Sequence, residues 1–314
     1  MAHELVAEVW RGDFLESVHH GSVVALGPGG DAELLVGQPE QVTYPRSSNK
    51  PVQVLAMLRH GLALDGELLA LACASHSGED FHVAGATRIL ADAGLTPDAL
   101  RCTPDLPVGE AALRAHLAAG RDKAPVYMNC SGKHAAMLAT CVVNDWPTGS
   151  YLDPAHPLHS AIRETLEELA GERVGAEGVD GCGAPLFGIS LVGLARAFAR
   201  LTTSGDEPER RIAHAMSTHP EWVGGTGRDV TALMRAIPGA VAKDGAEGVY
   251  AIALPTGEAV ACKIADGSSR ARAVVLVAAL RRLGVAAPEE LATFPVLGHG
   301  RPVGAVRPAA VLRG

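Results

Sequence analysis

The spacing of hydrophobic residues predicts strands at both ends of the chain and helices between them. Apolar and polar positions alternate near the start and again near the end, as is typical of strands. The predicted strands cover residues 5–9, 22–26, 34–36, 249–253 and 259–264. From Ser47 onward, apolar residues recur every three or four positions, which predicts helices. The predicted helices cover residues 54–62, 67–74, 83–93, 110–119, 134–143, 157–170, 191–201, 208–216, 228–237 and 269–283.

The order of these elements predicts an α+β fold. If the terminal strands share one antiparallel sheet, the helical middle is an insertion that packs against it. The sheet would then come from about residues 1–45 and 240–290, and the helical part from about 46–239. The length of 314 residues fits either one compact domain or two.

Composition and charge exclude several classes of protein. A chain that is 47% hydrophobic and 20% charged can bury a large core, which excludes disorder. The formal charge is −8 and no basic run occurs, so we expect no nucleic-acid partner. No apolar stretch reaches the ~18 residues of a membrane span, and the start lacks a secretory pattern, so we expect a cytoplasmic protein with no membrane partner. Six scattered cysteines predict reduced thiols or a metal site rather than disulfides.

Lysine is rare in this chain, since only 5 of the 27 basic residues are lysine. Lysine can lose its proton when buried and arginine cannot, so each retained lysine is a candidate for chemistry, with chance as the alternative. Ser47 and Lys50 are three residues apart at a predicted helix start and would share a face. A neutral amine there could take the proton of a hydroxyl that attacks a carbonyl. The alternative is an ordinary serine cap followed by a solvated lysine.

Four further features carry reactive or ligand-binding groups. Ser75 could be a second hydroxyl partner of a lysine, or could simply end a helix. Lys243 precedes an Asp-Gly pair, in the order of the late Lys-Thr/Ser-Gly motif of β-lactamases but without its hydroxyl. Cys130 and Cys182 with a third donor could hold zinc, although buried inert cysteines are the alternative. The Gly-rich segment 219–229 could cradle an anion or only turn the chain.

Taken together, these segments resemble one family, the asparaginase II family of rhizobial, thermolabile-type L-asparaginases. The resemblance runs from about residue 6 to residue 285, and the segment from residue 301 onward matches none of its motifs. Seven motifs in one order make the resemblance highly specific. They are Arg46-Ser47-x-x-Lys50-Pro51, Cys73-Ala74-Ser75-His76-Ser77, Asn129-Cys130-Ser131-Gly132-Lys133-His134, Asp180-Gly181-Cys182, His219-Pro220-Glu221 with Gly225-x-Gly227-Arg228, Lys243-x-Gly245-Ala246 and Lys263-Ile264-x-Asp266-Gly267.

The resemblance implies a single domain over residues 1–314 with a serine-β-lactamase-like fold, an α/β/α sandwich. It implies hydrolysis of L-asparagine to L-aspartate and ammonia by a homodimer. The catalytic residues it implies are two pairs, Ser47 with Lys50 and Ser75 with Lys243. The family's zinc ligands, two cysteines and a neutral lysine, correspond to Cys130, Lys133 and Cys182. We expect the zinc to order the site rather than to move protons.

Three more side chains are expected to support the site. Asp180 is a candidate partner of the substrate α-amino group, and Arg46 of a carboxylate or of the loop itself. His134, next to Lys133, is a candidate supporting residue. Which serine forms the acyl-enzyme stays open. The alternatives are another Ser-Lys amidohydrolase acting on glutamine, β-lactams or peptides, and a catalytically silent zinc-binding protein of the same fold.

Overall fold

Eleven strands and eleven α-helices occur in residues 3–313, the part of the chain that the computed structural model describes. The strands are β1 (Glu4–Arg11), β2 (Phe14–Leu26), β3 (Ala32–Val36), β4 (Val42–Thr43), β5 (Ala176–Val179), β6 (Pro185–Ser190), β7 (Val241–Asp244), β8 (Val249–Ala253), β9 (Ala259–Ile264), β10 (Phe294–Gly298) and β11 (Arg301–Pro308). The helices are α1 (Lys50–Arg59), α2 (Gly66–Ala72), α3 (Asp80–Asp92), α4 (Glu110–Ala118), α5 (Ser131–Val143), α6 (Pro157–Ala170), α7 (Leu191–Thr203), α8 (Glu207–Thr218), α9 (Pro220–Val223), α10 (Asp229–Ala236) and α11 (Ser269–Arg282). A 3₁₀ turn, Arg46–Asn49, leads directly into α1.

One large antiparallel sheet joins the two ends of the chain. Its strand order is β10-β11-β1-β2-β9-β8-β7, and β3 also pairs with β2. The long strand β2 pairs with β1 along its first part and with β9 along its second part, where Gly21 lies opposite Ile264. The prediction that early and late strands share an antiparallel sheet is therefore confirmed.

Helices cover both faces of the centre of this sheet. Helices α7 and α11 each contact β2, β8 and β9. Every residue of β8 is buried, and successive side chains of a strand point to opposite faces. A strand buried at every position must therefore be covered on both sides, which gives the α/β/α layering.

The sheet extends further along the chain than the sequence predicts. Strands β10 and β11 lie beyond residue 290, and β11 pairs with β1, with Val306 opposite Val9. Most of β10 is exposed, so its hydrophobic pattern gives little signal of a strand. Strands β4, β5 and β6 form a separate three-stranded sheet, and two of these strands lie inside the predicted helical part.

The helical middle supplies the buried elements that carry the site. Residues 131–141 of α5 are all buried, as are residues 50–58 of α1. A helix buried on every side lies in the interior of a domain. The longest α-helices have 14 residues, and no helix within residues 3–313 combines the length and hydropathy needed to cross a bilayer.

Candidate active site

Three lysine side chains are buried in the centre of the molecule. Lys50, Lys133 and Lys243 are each at most 1% exposed. Lysines are almost never buried to this degree unless they are paired. All three belong to the small set of lysines that the sequence marks as candidates, and their partners define the site.

Lys50 is held by three acceptors. Its Nζ lies 2.5 Å from the carbonyl oxygen of Ala74, 3.0 Å from Oγ of Ser75 and 3.0 Å from Sγ of Cys130. In the described part of the chain, no hydrogen bond joins Lys50 to Oγ of Ser47. The side chain leaves the first turn of α1 toward the interior, so its hydroxyl partner differs from the one that the sequence predicts.

His76 fixes the loop that carries Ser75. The His76 N–H donates to the carbonyl of Asn129 over 3.0 Å, which ties the loop to the segment before α5. His76 Nδ1 accepts from the Gly78 N–H, so its Nε2 carries the proton and donates to Oγ of Ser131 over 2.9 Å. Burial lowers the pKa of His76 well below its usual value, which keeps the ring neutral. The hydrogen bonds of the neutral His76 side chain and backbone therefore hold the loop that carries Ser75 in place.

Ser47 is half-buried and follows a residue with an unusual backbone conformation. Arg46 has φ of 51°, in the left-handed region that residues other than glycine rarely adopt. Its Nε donates to Oδ1 of Asp180 over 2.8 Å, and the same oxygen accepts from the N–H of Gly181. The side chains of Arg46 and Asp180 are 22% and 13% exposed. The two predicted substrate partners therefore bind each other.

A cavity of about 300 Å³ adjoins Arg46. Its volume suits a small metabolite. Glu247 Oε1 lies 3.9 Å from Nη1 of Arg46, and Lys263 donates to the Glu247 carbonyl over 2.5 Å. Charges of both signs therefore face this cavity. Its lining consists of Thr43, Tyr44, Arg46, Gly178, Val179, Leu186, Glu247 and Lys263.

Lys243 is paired with the next residue along the chain. Its Nζ donates to the carbonyl oxygen and to Oδ1 of Asp244, each over 2.6 Å. Asp244 Oδ2 accepts from Arg228 over 2.9 Å and from Arg272 over 3.0 Å. Burial lowers the pKa of Lys243 to about 8, although the Asp244 carboxylate opposes this shift. No hydrogen bond joins Lys243 to Ser75 among the described residues, where the lysine that contacts Ser75 is Lys50.

The charged residues around Lys243 have no role that the sequence alone predicts. Asp244 stands where the Lys-Thr/Ser-Gly motif of β-lactamases has a hydroxyl residue. This difference is the sequence feature that could have pointed to Asp244. Arg228 lies in the Gly-rich segment 219–229, whose role was left open. Arg272 gave no signal because it belongs to the predominantly apolar helix α11.

Strand β7 packs against the 3₁₀ turn that contains Ser47. Oγ of Ser48 donates to the Lys243 carbonyl over 3.0 Å. A Cβ added to Gly245 would lie 2.8 Å from the Pro45 carbonyl oxygen and 2.9 Å from Ser48 Oγ. Only glycine permits so close an approach. The late Lys-Asp-Gly segment therefore positions the turn before α1.

Cys130, Lys133 and Cys182 lie together beneath Lys50. Nζ of Lys133 is 3.3 Å from Sγ of Cys182. A hydrogen bond from Cys130, together with the Lys133 charge, lowers the pKa of Cys182, and the same sulfur–sulfur contact with burial raises the pKa of Cys130. Burial by itself lowers the pKa of the Lys133 amine. The attraction to the sulfurs of Cys182 and Cys130 outweighs burial, so the pKa is raised overall. The cluster therefore favours one thiolate next to one ammonium group.

This donor set fits a soft divalent metal ion. Zinc binds thiolates and nitrogen donors, and both kinds occur here. His134 adds a nearby nitrogen, because its Nδ1 contacts the Tyr151 hydroxyl at 2.9 Å and its side chain also interacts with the Cys182 sulfur. Residues 3–313 contain no group of three or more His, Cys, Asp or Glu side chains placed to hold a metal, so a three-ligand site needs the Lys133 amine. Binding would require Lys133 and the thiols to release protons.

A buried contact between a lysine amine and a serine hydroxyl, as between Lys50 and Ser75, is an arrangement that suits nucleophilic hydrolases. The sequence model of the L-asparaginase II family matches residues 7–308. The chain belongs to the L-asparaginase II family, so the predicted family is confirmed.

Three similar solved structures are distant from this chain in sequence. The native form of Mglu is 16% identical, with a TM-score of 0.44, and the match covers 83% of this chain and 63% of that one. A β-lactamase from Mycobacterium bovis is 14% identical, with a TM-score of 0.43 and coverage of 79% and 88%. EstCE1, described as a hydrolase with promiscuous acyltransferase activity, is 13% identical, with a TM-score of 0.45 and coverage of 83% and 93%. The chain thus spans less than two thirds of Mglu, and no curated protein matches it.

Proposed function

We propose that the protein hydrolyses the side-chain amide of L-asparagine to L-aspartate and ammonia. The observation that carries the proposal is the buried Lys50 amine 3.0 Å from Ser75 Oγ, in a chain of the L-asparaginase II family. An amide needs a strong nucleophile and a protonated leaving group. One amine in contact with a hydroxyl can serve both needs in turn.

The contacts of Lys50 support a base role. A neutral amine would donate its two N–H groups to the Ala74 carbonyl and to Cys130, and would accept the Ser75 O–H. Ser75 Oγ then attacks the amide carbon while its proton passes to Lys50. Lys50 returns that proton to the departing nitrogen, which leaves as ammonia. Water hydrolyses the aspartyl ester and restores the serine.

Ser47 is the second hydroxyl of this proposal. The sequence leaves open which serine forms the acyl-enzyme, and the contact between Lys50 and Ser75 favours Ser75 as the nucleophile. Ser47 is more exposed than Ser75 and follows Arg46, which lines the cavity. We assign Ser47 to holding the substrate amide or the attacking water.

The cavity next to Arg46 supports a small zwitterionic substrate. Arg46 and Lys263 offer positive charge, and Glu247 offers negative charge. A substrate with a free α-carboxylate and a free α-ammonium group would match both signs. Asparagine and glutamine both meet this description, so the side-chain length has to be decided by the assay.

Ser75→Ala is expected to lower kcat/KM for L-asparagine at least about 100-fold, the size of loss that follows removal of a nucleophile or its partner. The measurement is ammonia release from L-asparagine and, separately, from L-glutamine by wild type, Ser47→Ala and Ser75→Ala. Ser160→Ala, an exposed serine of α6, is the matched control and should keep wild-type activity. A folded wild type that releases no ammonia from either amide would contradict the proposal, and a preference for glutamine would move the chain to the glutaminase alternative.

We also propose that Cys130, Lys133 and Cys182 hold zinc. Bound zinc supplies a fixed positive charge that orders the segments carrying these residues. Cys182→Ser is expected to weaken zinc binding at least about 100-fold, because a thiolate ligand is lost. Calorimetric titration of chelator-treated protein measures this. Cys141 is a buried cysteine outside the cluster, so Cys141→Ser is the control and should bind zinc as tightly as wild type does. Equal zinc affinity in wild type, Cys182→Ser and Cys141→Ser would contradict the proposed site.

The predicted assembly and location do not follow from the site. The homodimer, the cytoplasmic location and the exclusion of nucleic-acid and membrane partners stay predictions. Sedimentation at two protein concentrations tests the homodimer, since a mass equal to a single chain would contradict it.

A further inference from the structure

Lys243, Asp244, Arg228 and Arg272 form a cluster of buried and partly buried charges that takes no part in the proposed proton transfers. We propose that Asp244 is a positioning residue that holds the Lys243 amine in place and charged beside the active site, so that Lys243 acts as a fixed positive charge and not as a base. The inference rests on the proposed amidohydrolase function. It concerns a different pair of residues from the Lys50–Ser75 contact, so the two can fail separately.

The geometry ties Lys243 to Asp244 at two points. The Lys243 side chain is fully buried, and both hydrogen bonds of its Nζ go to the oxygens of Asp244. Among the described residues, the Lys243 Nζ makes no hydrogen bond to Ser75. While it carries its charge beside the Asp244 carboxylate, the Lys243 ammonium group has no lone pair with which to accept the Ser75 proton.

The carboxylate of Asp244 is itself immobilised. Its other oxygen accepts from Arg228 and Arg272, and the Asp244 side chain is only 5% exposed. Arg272 is anchored in turn, because it donates to the Gly245 carbonyl over 3.1 Å and lies over the Tyr250 ring at 5.3 Å. A carboxylate held by three cations has one stable orientation.

Asp244 is also the group that makes a charge on Lys243 tolerable. Removing it would leave Lys243 among positive neighbours, while the only other carboxylate described next to the cluster, Asp229, binds Arg272 at 3.4 Å. Like charges disfavour an ammonium group, and an adjacent carboxylate favours it. The titratable and charged groups around the pair are Lys50 from α1, Cys73 after α2, Arg228 and Asp229 at the start of α10, Tyr250 from β8 and Arg272 from α11.

A fixed ammonium group near Lys50, on a strand that contacts the turn of Ser47, has a clear use in the proposed reaction. Attack on the amide carbonyl creates an oxyanion, and preorganised positive charge stabilises that state more than the neutral amide. Activity should then fall as pH rises through the titration of Lys243. If Lys243 acted as a base, it would have to be neutral, and activity would instead rise with pH over the same range.

The test is a titration of Lys243 with its neighbours changed one at a time. The chain has only five lysines, so ¹³Cε NMR of ¹³C-lysine-labelled protein gives few signals, and Lys243→Arg identifies the one to follow. Asp244→Asn should lower the titration midpoint by at least about one pH unit. Arg228→Gln, which removes a cation that is partly exposed, should raise the midpoint. Asp229→Asn is the matched control and should leave the midpoint within about 0.3 pH units of wild type.

The alkaline limb of kcat/KM should follow the NMR midpoint in the same variants. Above that midpoint, Asp244→Asn should lose at least about tenfold in kcat/KM, with a smaller loss below it, a pH-selective loss that mere misfolding does not give. Asp244→Glu should restore the position of the limb. If Asp244→Asn does not fold, the opposite shift in Arg228→Gln decides the question. The inference is overturned if the NMR midpoint of Lys243 does not move in Asp244→Asn, or if it moves while the alkaline limb of kcat/KM stays in place. An inactive wild type overturns the proposed function instead. In that case the NMR midpoints still decide whether Asp244 keeps Lys243 charged.

Discussion

Replacing Lys50 with Met is expected to lower kcat/KM for L-asparagine at least about 10³-fold while the protein stays folded. In the proposed mechanism the Lys50 amine, which contacts Ser75, is the base, and methionine fills a similar volume without an amine. The substitution also leaves the Ala74 carbonyl and the Cys130 thiol without a donor. Losing such buried partners costs about 1–3 kcal/mol of stability, which urea unfolding will register.

Lys123→Met is the matched control for this substitution. Lys123 is an exposed lysine before the segment that leads to α5, and its loss should leave kcat/KM within about twofold of wild type. Ammonia release measured at saturating and limiting asparagine separates kcat from KM. If Lys50→Met keeps more than about a tenth of wild-type kcat/KM, Lys50 is not the base of the reaction.

Gly245→Ala is expected to destabilise the protein by about 2–3 kcal/mol and to reduce kcat at least about tenfold. The new methyl group would lie within 3.0 Å of the Pro45 carbonyl and of Ser48 Oγ. Backbone cannot yield as a flexible side chain does, so the 3₁₀ turn has to move away from β7. That movement displaces Ser47 and the start of α1, from which Lys50 projects.

Gly149→Ala separates this packing effect from a general effect of replacing glycine. Gly149 is exposed, and a Cβ there would meet no atom within 4 Å. Its change in unfolding free energy should stay within about 0.5 kcal/mol. Equal stability and activity in Gly245→Ala and Gly149→Ala would show that the contact between β7 and the turn does not matter.

Much of the scaffold is visible in the sequence because strands and helices have different hydrophobic periods. The early and late strands carry a spacing of two, and the antiparallel pairing of β2 with β9 follows once they share a sheet. Strands β10 and β11 were missed because their exposed positions weaken that spacing. Boundaries also shifted, as for the predicted helix 67–74, which spans Gly66–Ala72.

The candidate site was predictable in its members but not in its contacts. The scarcity of lysine selected Lys50 and Lys243, and both are buried. Spacing along the chain placed Ser47 beside Lys50, whereas three acceptors from distant segments draw that amine to Ser75. No local pattern could reveal that Lys243 would be bound by Asp244, because the two arginines that fix Asp244 lie far away in the sequence.

The most direct test of the central claim is to trap the acyl-enzyme. Wild type mixed with L-asparagine, quenched in acid and digested with trypsin, gives separate peptides for the two serines, residues 47–59 and 60–88. We predict one aspartyl group on the peptide that contains Ser75, formed before ammonia release reaches steady state and absent from Lys50→Met. An aspartyl group on 47–59 would exchange the roles of the two serines. Asparagine turnover that leaves both peptides unmodified and survives both serine-to-alanine substitutions would contradict the Ser-Lys mechanism.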